Sequence, residues 1–284
     1  MSRENFKGVK MLKRKWISLL LVSFFVLLFC DKARALNFYG DFGIFKMRWN
    51  EFDSSGKTLL TEKGSCYFLS AGIFDSIYPK VIYSAAIKYF IGPSINYSGQ
   101  TMSGIPVQTN NFWTGFSFES TFTYFLKLYK VNALIGSMLG SMYWIRKINS
   151  TTLSDGTVVY GYTEHWKTFW IDAFVGLKQK VYKTLLITLK LGVRYPITTY
   201  NTARLPGTTE DANLFLSGKA SPMLNFTLKK ASNTTSISVS FFYEEWKFKK
   251  SSADVVAGYN GNYYLVWQPT SQFKWEGIEV KYEF

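Results

Sequence analysis

From Leu185 to Ile197 every second side chain is apolar: Leu185, Ile187, Leu189, Leu191, Val193, Tyr195 and Ile197. Between them stand Thr188, Lys190, Gly192, Arg194 and Pro196, and only Leu186 breaks the rule. Successive side chains of a strand point to opposite faces, whereas a turn of about 3.6 residues would scatter these positions around a helix. The stretch is therefore a two-faced strand. Strands of soluble sheets run about 5 to 6 residues, and this alternation persists for thirteen, which points to a membrane.

The same period recurs along the chain and defines ten candidate strands. Leu36 to Phe52 is the first, and Tyr67, Leu69, Ala71 and Ile73 give the outer face of the second. Tyr83 to Ile91 is the third; Phe112, Phe116, Phe118, Phe122 and Tyr124 mark the fourth. The fifth sets Val131, Ala133, Ile135, Leu139 and Tyr143 against Asn132, Gly136 and Gly140, and the sixth sets Phe169 to Leu177 against Thr168, Asp172, Gly176 and Lys178. The stretch after Lys183 is the seventh. In the eighth, Leu214, Leu216, Leu224, Phe226 and Leu228 share a face around Pro222, which removes a ladder donor. In the ninth, Ile237 to Tyr243 alternates with Ser236, Ser238 and Ser240, and the apolar phase then moves to Trp246 and Phe248. Ile278, Val280, Tyr282 and Phe284 make the tenth.

The connections alternate in length. Residues 53–65, 93–111, 147–163, 199–212 and 249–270 are long and rich in Gly, Ser, Thr and Asn, while the joins near 75–80, 127–130, 179–183 and 229–235 are tight. Long strands in even number, with all long connections on one side, are the pattern of a transmembrane barrel. In hydrocarbon an unpaired backbone group costs several kcal/mol, so a spanning chain is either helical or a closed sheet. The expected fold is all-β: a closed, antiparallel up-and-down barrel of about ten strands over residues 36–284, with eight and twelve as neighbouring counts. Both termini would be periplasmic and five long loops outside.

Residues 1–35 read as a signal peptide. Lys7, Lys10, Lys13, Arg14 and Lys15 precede the apolar run from Trp16 to Cys30, and Ala33 and Ala35 supply the small side chains that cleavage requires. An apolar core of 15 residues is short of the roughly 20 that a spanning helix needs. Export leaves Cys66 alone, with no internal disulfide to hold the fold. The formal charge of +14 is inflated by this leader: eight Lys or Arg fall in the first 35 residues, leaving 25 against 17 acidic residues beyond it. Those charges are dispersed, without the basic run that nucleic acid requires, and no nucleic-acid partner is expected.

The ending Ile278-Glu279-Val280-Lys281-Tyr282-Glu283-Phe284 resembles the terminal strand of Gram-negative outer-membrane β-barrels. In that resemblance Ile278, Val280, Tyr282 and Phe284 form the signal read by the barrel-assembly machinery, and the location is the cell outer membrane, with outer-membrane lipid as partner. Small members of the superfamily are adhesins, opacity-type surface proteins, narrow pores, lipid-modifying enzymes or omptin-type proteases.

With apolar faces turned to lipid, the lumen would hold Asp41, Lys88, Glu119, Asp172, Lys178, Lys190, Arg194, Glu244, Glu279, Lys281 and Glu283. Acids and bases crowded in so small an interior must neutralise one another in hydrogen-bonded pairs, so the lumen is expected to be largely occluded. Trp49, Trp113, Tyr143, Trp144, Trp166, Trp246, Trp267 and Trp275 stand at strand ends and suit the headgroup level. Gly136 and Gly140 would give room inside. The role expected is structural, or an interaction at the surface through an extracellular ligand of the long loops, chiefly 93–111 and 249–270. A narrow ion-conducting pore is the alternative. A rim hydrolase would have to use His165, the one histidine, but no spacing brings Asp155, Glu164, Glu210, Asp211, Glu244 or Glu245 to it, and no enzyme is expected. Phosphate-binding glycine loops and paired Cys or His are absent, so neither cofactor nor metal is expected.

Overall fold

The computed structural model describes residues 36–101, 104–129 and 131–284. The signal segment with Ala33 and Ala35 lies outside them. Sixteen strands follow in order: β1 (Asn37–Phe52), β2 (Thr58–Tyr78), β3 (Val81–Gln100), β4 (Pro106–Leu128), β5 (Val131–Ile148), β6 (Thr151–Thr152), β7 (Val158–Val159), β8 (Thr163–Tyr182), β9 (Leu185–Arg204), β10 (Ala212–Leu216), β11 (Gly218–Lys219), β12 (Ser221–Ala231), β13 (Ser236–Phe248), β14 (Asp254–Ala257), β15 (Tyr263–Val266) and β16 (Thr270–Glu283).

Each wall strand pairs antiparallel with the next, in the order β1, β2, β3, β4, β5, β8, β9, β12, β13, β16. β10 extends the wall beside β9 and β11 beside β13, so β10 to β12 fill one interrupted position. The wall thus has the ten strands expected. It closes where β16 meets β1, in continuous register from Tyr39↔Glu283 to Phe52↔Thr270. Beyond that register Phe38 and Phe284 exchange backbone hydrogen bonds of 3.2 and 3.0 Å, so the seam leaves no edge for lipid to meet.

The outward face near the short turns is apolar and open: Phe42, Leu69 and Ile87 are 60–66% exposed. Such a band on an aqueous surface would be costly; against acyl chains it is the favourable face. The alternation of β9 runs as read from Leu185 to Ile197. A register shift between Phe169 and Trp170 then turns Thr199, Asn201 and Ala203 inward.

Two expectations change. The wall is taller than the apolar pattern suggests. β3 continues to Gln100 and β4 starts at Pro106, so the 93–111 connection is mostly strand, while 147–163 and 249–270 carry the hairpins β6–β7 and β14–β15. Leu214 and Leu216 do not share the face of Leu224: they point inward, 2% and 1% exposed. No register break accompanies the apolar shift in β13, whose pairing with β16 runs unbroken from Ser236 to Phe248. Phe241 faces out, Trp246 and Phe248 face in, and Glu245 and Lys247 take the outer face. The wall has left the apolar zone, and the apolar residues have moved inside.

Two turns at the tall end share one construction. Asp53 accepts hydrogen bonds from Ser55 Oγ (2.7 Å) and from the backbone N–H groups of Ser55 (2.8 Å) and Lys57 (2.9 Å), which hold its carboxyl below the ordinary range. Asp155 does the same with Thr157 N. Gly56 and Gly156 follow at φ +86° and +84°, where only glycine is unstrained.

Candidate functional site

The interior has two storeys. Near the short turns it is ionic. Arg194, on β9, donates Nε and Nη2 to the two oxygens of Asp172 on β8 (2.9 and 2.7 Å) and Nη1 to Glu244 on β13 (2.6 Å). This is the fork-to-carboxylate geometry that buried arginine favours. The Arg194 guanidinium also lies over Trp246 (4.2 Å) and Trp170 (5.2 Å). Lys281 stands 3.9 Å from both Asp41 and Glu279 and 4.1 Å over the Tyr39 ring. Lys229 pairs with Glu283, which also accepts from Ser236 Oγ at 2.7 Å.

Lys88, Lys190 and Lys178 lie over the rings of Phe68, Phe174 and Phe125 at 4.7, 5.1 and 5.5 Å. Ser117 donates to Glu119 at 3.3 Å. All eleven charged residues named from the sequence thus sit on inward positions of the wall. The structure adds Lys229, at an inward position of β12.

Above this layer the lumen is filled with aromatic side chains. Trp49, Trp113, Trp144 and Trp166 are 0% exposed. Trp144 and Trp166 stack at 5.3 Å, and Trp49 meets Trp113 at 5.7 Å and Trp166 at 5.1 Å. Phe273, Trp246 and Trp275 continue the packing. The headgroup belt expected of these tryptophans is therefore corrected: six of them plug the barrel, leaving Tyr143 on the outer face and Trp267, 42% exposed, at the tall end. An alternating strand carries no mark of which face meets water once its outer neighbour has changed from acyl chains to solvent.

The plug encloses a second ionic cluster. Arg146, 1% exposed, donates Nε to Glu62 (2.8 Å) and Nη1 to Glu164 (2.9 Å) and Glu51 (3.1 Å), and its Nη2 also reaches Glu62. Each carboxylate takes one indole N–H as well: Trp49 to Glu51 (2.8 Å), Trp113 to Glu62 (2.9 Å) and Trp166 to Glu164 (2.8 Å). Asn111 Nδ2 completes Glu62 at 2.5 Å. One cation holds three carboxylates in a buried aromatic box.

Sequence reasoning missed this cluster, although a signal was present. Trp49 and Glu51, Asn111 and Trp113, Trp144 and Arg146, Glu164 and Trp166 are each two residues apart on one strand, hence on one face.

Gly136 and Gly140 make room for rings from β8. A Cβ on Gly140 would lie 2.1 Å from Trp170 Cζ2, and one on Gly136 would lie 2.2 Å from Phe174 Cζ. His165 faces outward. Its Nδ1 is 2.7 Å from Tyr143 Oη, while adjacent Glu164 points in to Arg146. Of the other acids weighed for it, Asp155 bonds Thr157, Asp211 lies 3.6 Å from Arg204, Glu244 pairs with Arg194, and Glu245 lies 3.3 Å from Lys247. Among the described residues no carboxylate hydrogen-bonds His165. Ile278, Val280 and Tyr282 occupy outward positions of the closing strand, opposite β1, and Phe284 follows it, bonded to Phe38.

No protein-family model matches the sequence. No curated protein matches it either. Solved structures do. The outer membrane protease OmpT from Escherichia coli superposes with a TM-score of 0.56 at 9% identity, over 89% of this chain and 99% of that one. The translocator domain of the autotransporter NalP from Neisseria meningitidis gives 0.43 at 9% identity, over 98% and 96%. At such identities the likeness speaks for architecture, and the apolar outer band is this chain's own. The chain shares its architecture, a closed antiparallel β-barrel, with the OmpT structure, and its own ten-stranded wall presents an apolar outer band suited to acyl chains.

Proposed function

We propose that the barrel is a closed scaffold that carries an interaction surface at its tall end, outside the cell. The observation that carries this is the aromatic character of that end: Tyr160, Tyr259 and Tyr263 are 68–76% exposed, beside Val158, Leu265 and Trp267. These side chains ride on braced backbone. Thr209 N donates to Ala257 O (2.8 Å), Asn213 N to Asp254 Oδ2 (2.7 Å), and Tyr259 N to Gly207 O (3.0 Å). Tyrosine gives large contact area for little lost side-chain freedom, and a braced loop lowers the ordering cost of binding. The 249–270 segment is the contact region; in place of 93–111 the tip uses 158–160 and 205–209.

Cells displaying the barrel are expected to attach to a partner surface. Changing Tyr160, Tyr259, Tyr263 and Trp267 to Ser should cut attachment roughly tenfold or more, as loss of central aromatic anchors does, while gel mobility of the folded barrel stays unchanged. Equal attachment by cells with and without the protein would refute the role.

Two features weigh against a pore: the tryptophan layer spans the bore, and the lysines below it are engaged with carboxylates or ring faces. Purified protein in a planar bilayer is expected to give no stepwise conductance above the detergent blank. Reproducible steps, reduced by neutralising Lys190, would favour the pore. OmpT is a protease by its name, but here no carboxylate among the described residues hydrogen-bonds the one histidine, so a non-enzymatic role is the better reading. Assembly partners follow the same proposal: Ile278 to Phe284, the end of β16 and the residue after it, would be presented to the barrel-assembly machinery as the final edge.

A further inference from the structure

Just above the apolar band, the outer wall carries a patch that neither the scaffold nor the tip requires. The register builds it row by row. Tyr67, Ile44, Ile278 and Phe241 are successive cross-strand neighbours on β2, β1, β16 and β13, all outward and apolar. The row above is Ser65, Lys46, Glu276 and Tyr243. The next places Lys63, Arg48 and Lys274 side by side, with Arg48 directly opposite both lysines, and ends on β13 at Glu245, whose carboxylate is engaged by Lys247 and Gln272. Like charges directly opposed in a sheet repel. Among the described residues none of Lys46, Arg48, Lys63 and Lys274 has a carboxylate within 4 Å. These side chains line a groove of about 450 Å³, which opens where the β2–β3 register shifts after Lys63. A sheet that sets three cations together and leaves them unpaired is complementary to a polyvalent anion.

Height decides which anion. The apolar row, two residues below Lys46 and four below Arg48, Lys63 and Lys274, is at acyl level, so the cations stand at headgroup level. We propose that this groove binds the phosphate groups of an outer-leaflet lipid, with Arg48, Lys63 and Lys274 on phosphate and Lys46 beneath. The lipid's acyl chains would lie along Ile44, Tyr67 and Ile278. Guanidinium suits a phosphate's paired oxygens and the lysines act as point charges. The outer-leaflet assignment rests on the orientation proposed above; the binding chemistry does not.

The test uses the folded barrel in zwitterionic detergent and reads its thermal unfolding as diphosphorylated lipid A is added. A saturable upward shift in Tm is expected. The triple variant R48Q/K63Q/K274Q should require roughly a hundredfold more lipid, since each basic residue near an anionic surface contributes to its attraction. K147Q/K167Q, on another part of the wall, should respond as the parent does. Dephosphorylated lipid A and free inorganic phosphate should each give little shift. An equal shift with dephosphorylated lipid would overturn the phosphate assignment, and an equal shift with free phosphate would overturn the lipid. An undiminished response in the triple variant, or an equal loss in K147Q/K167Q, would refute the site. Should the triple variant fail to fold, the parent's shift must still shrink as salt rises from 0.1 to 1 M, where screening shortens from about 10 to 3 Å; a salt-independent shift would equally refute it.

Discussion

Arg146→Met is expected to destabilise the folded barrel by about 3–5 kcal/mol, the range for stripping one partner from a buried charge cluster. The side chains are close in length, so the loss is electrostatic. Glu51, Glu62 and Glu164 would be left facing one another inside the tryptophan box, each keeping an indole N–H and none keeping a cation. All three are buried, which limits compensation by water. The measurement is thermal or urea unfolding in detergent, followed by gel mobility and tryptophan emission together. Adding Glu51→Gln, Glu62→Gln and Glu164→Gln to Arg146→Met should recover much of the loss, because neutral amides impose a far smaller burial cost. If Arg146→Met unfolds within about 1 kcal/mol of the parent, the usual scale of a single mutation, then the cluster is not what holds the upper storey.

Gly140→Val should be at least as damaging by a different route. The added branch would enter the space of the Trp170 indole, and the first carbon alone would come within 2.1 Å of it. Trp170 has nowhere to retreat: Trp246 stands 4.8 Å away ring to ring, and the Arg194 guanidinium covers it at 5.2 Å. Overpacking a well-filled core costs about 1–3 kcal/mol and more where nothing yields, so the expected result is a loss of 3 kcal/mol or of folding altogether. Ser141→Val, one position along and on the lipid face, should be neutral or mildly stabilising. Equal loss from both variants would show that strand propensity, not the interior contact, set the penalty.

Period, strand count and the asymmetry of the connections were legible in the sequence because they depend on chain geometry alone: a strand places alternate residues on opposite faces whatever surrounds it. The lower lumen was legible for the same reason, since Arg194 and Asp172 share parity with Lys190 and Lys178. What could not be read from alternation is the height at which the outside turns aqueous. Below that height greasy means outward, as at Phe241; above it greasy means inward, as at Trp246 and Phe248, with no bulge to announce the change. Leu214 and Leu216 were misplaced by that inversion. So was the tryptophan layer, and with it the Arg146 cluster, whose members share a face with the very indoles assigned to the headgroups. The basic rows on the outer wall were harder still: Lys46, Arg48, Lys63 and Lys274 become neighbours only through the pairing of three strands.

The seam between β1 and β16 has a consequence for the life of the nascent chain. Tyr39 emerges among the earliest of the wall residues and Glu283 among the last, so the two halves of one ladder must wait for each other. Until the last strand docks, every intermediate is a ribbon with raw borders at β1 and at whichever strand has come latest, and such borders recruit other chains. A polypeptide clipped before Thr270 would keep nine-tenths of its wall strands yet be unable to hide either border. It should clump or be degraded rather than persist as a slightly weakened cylinder.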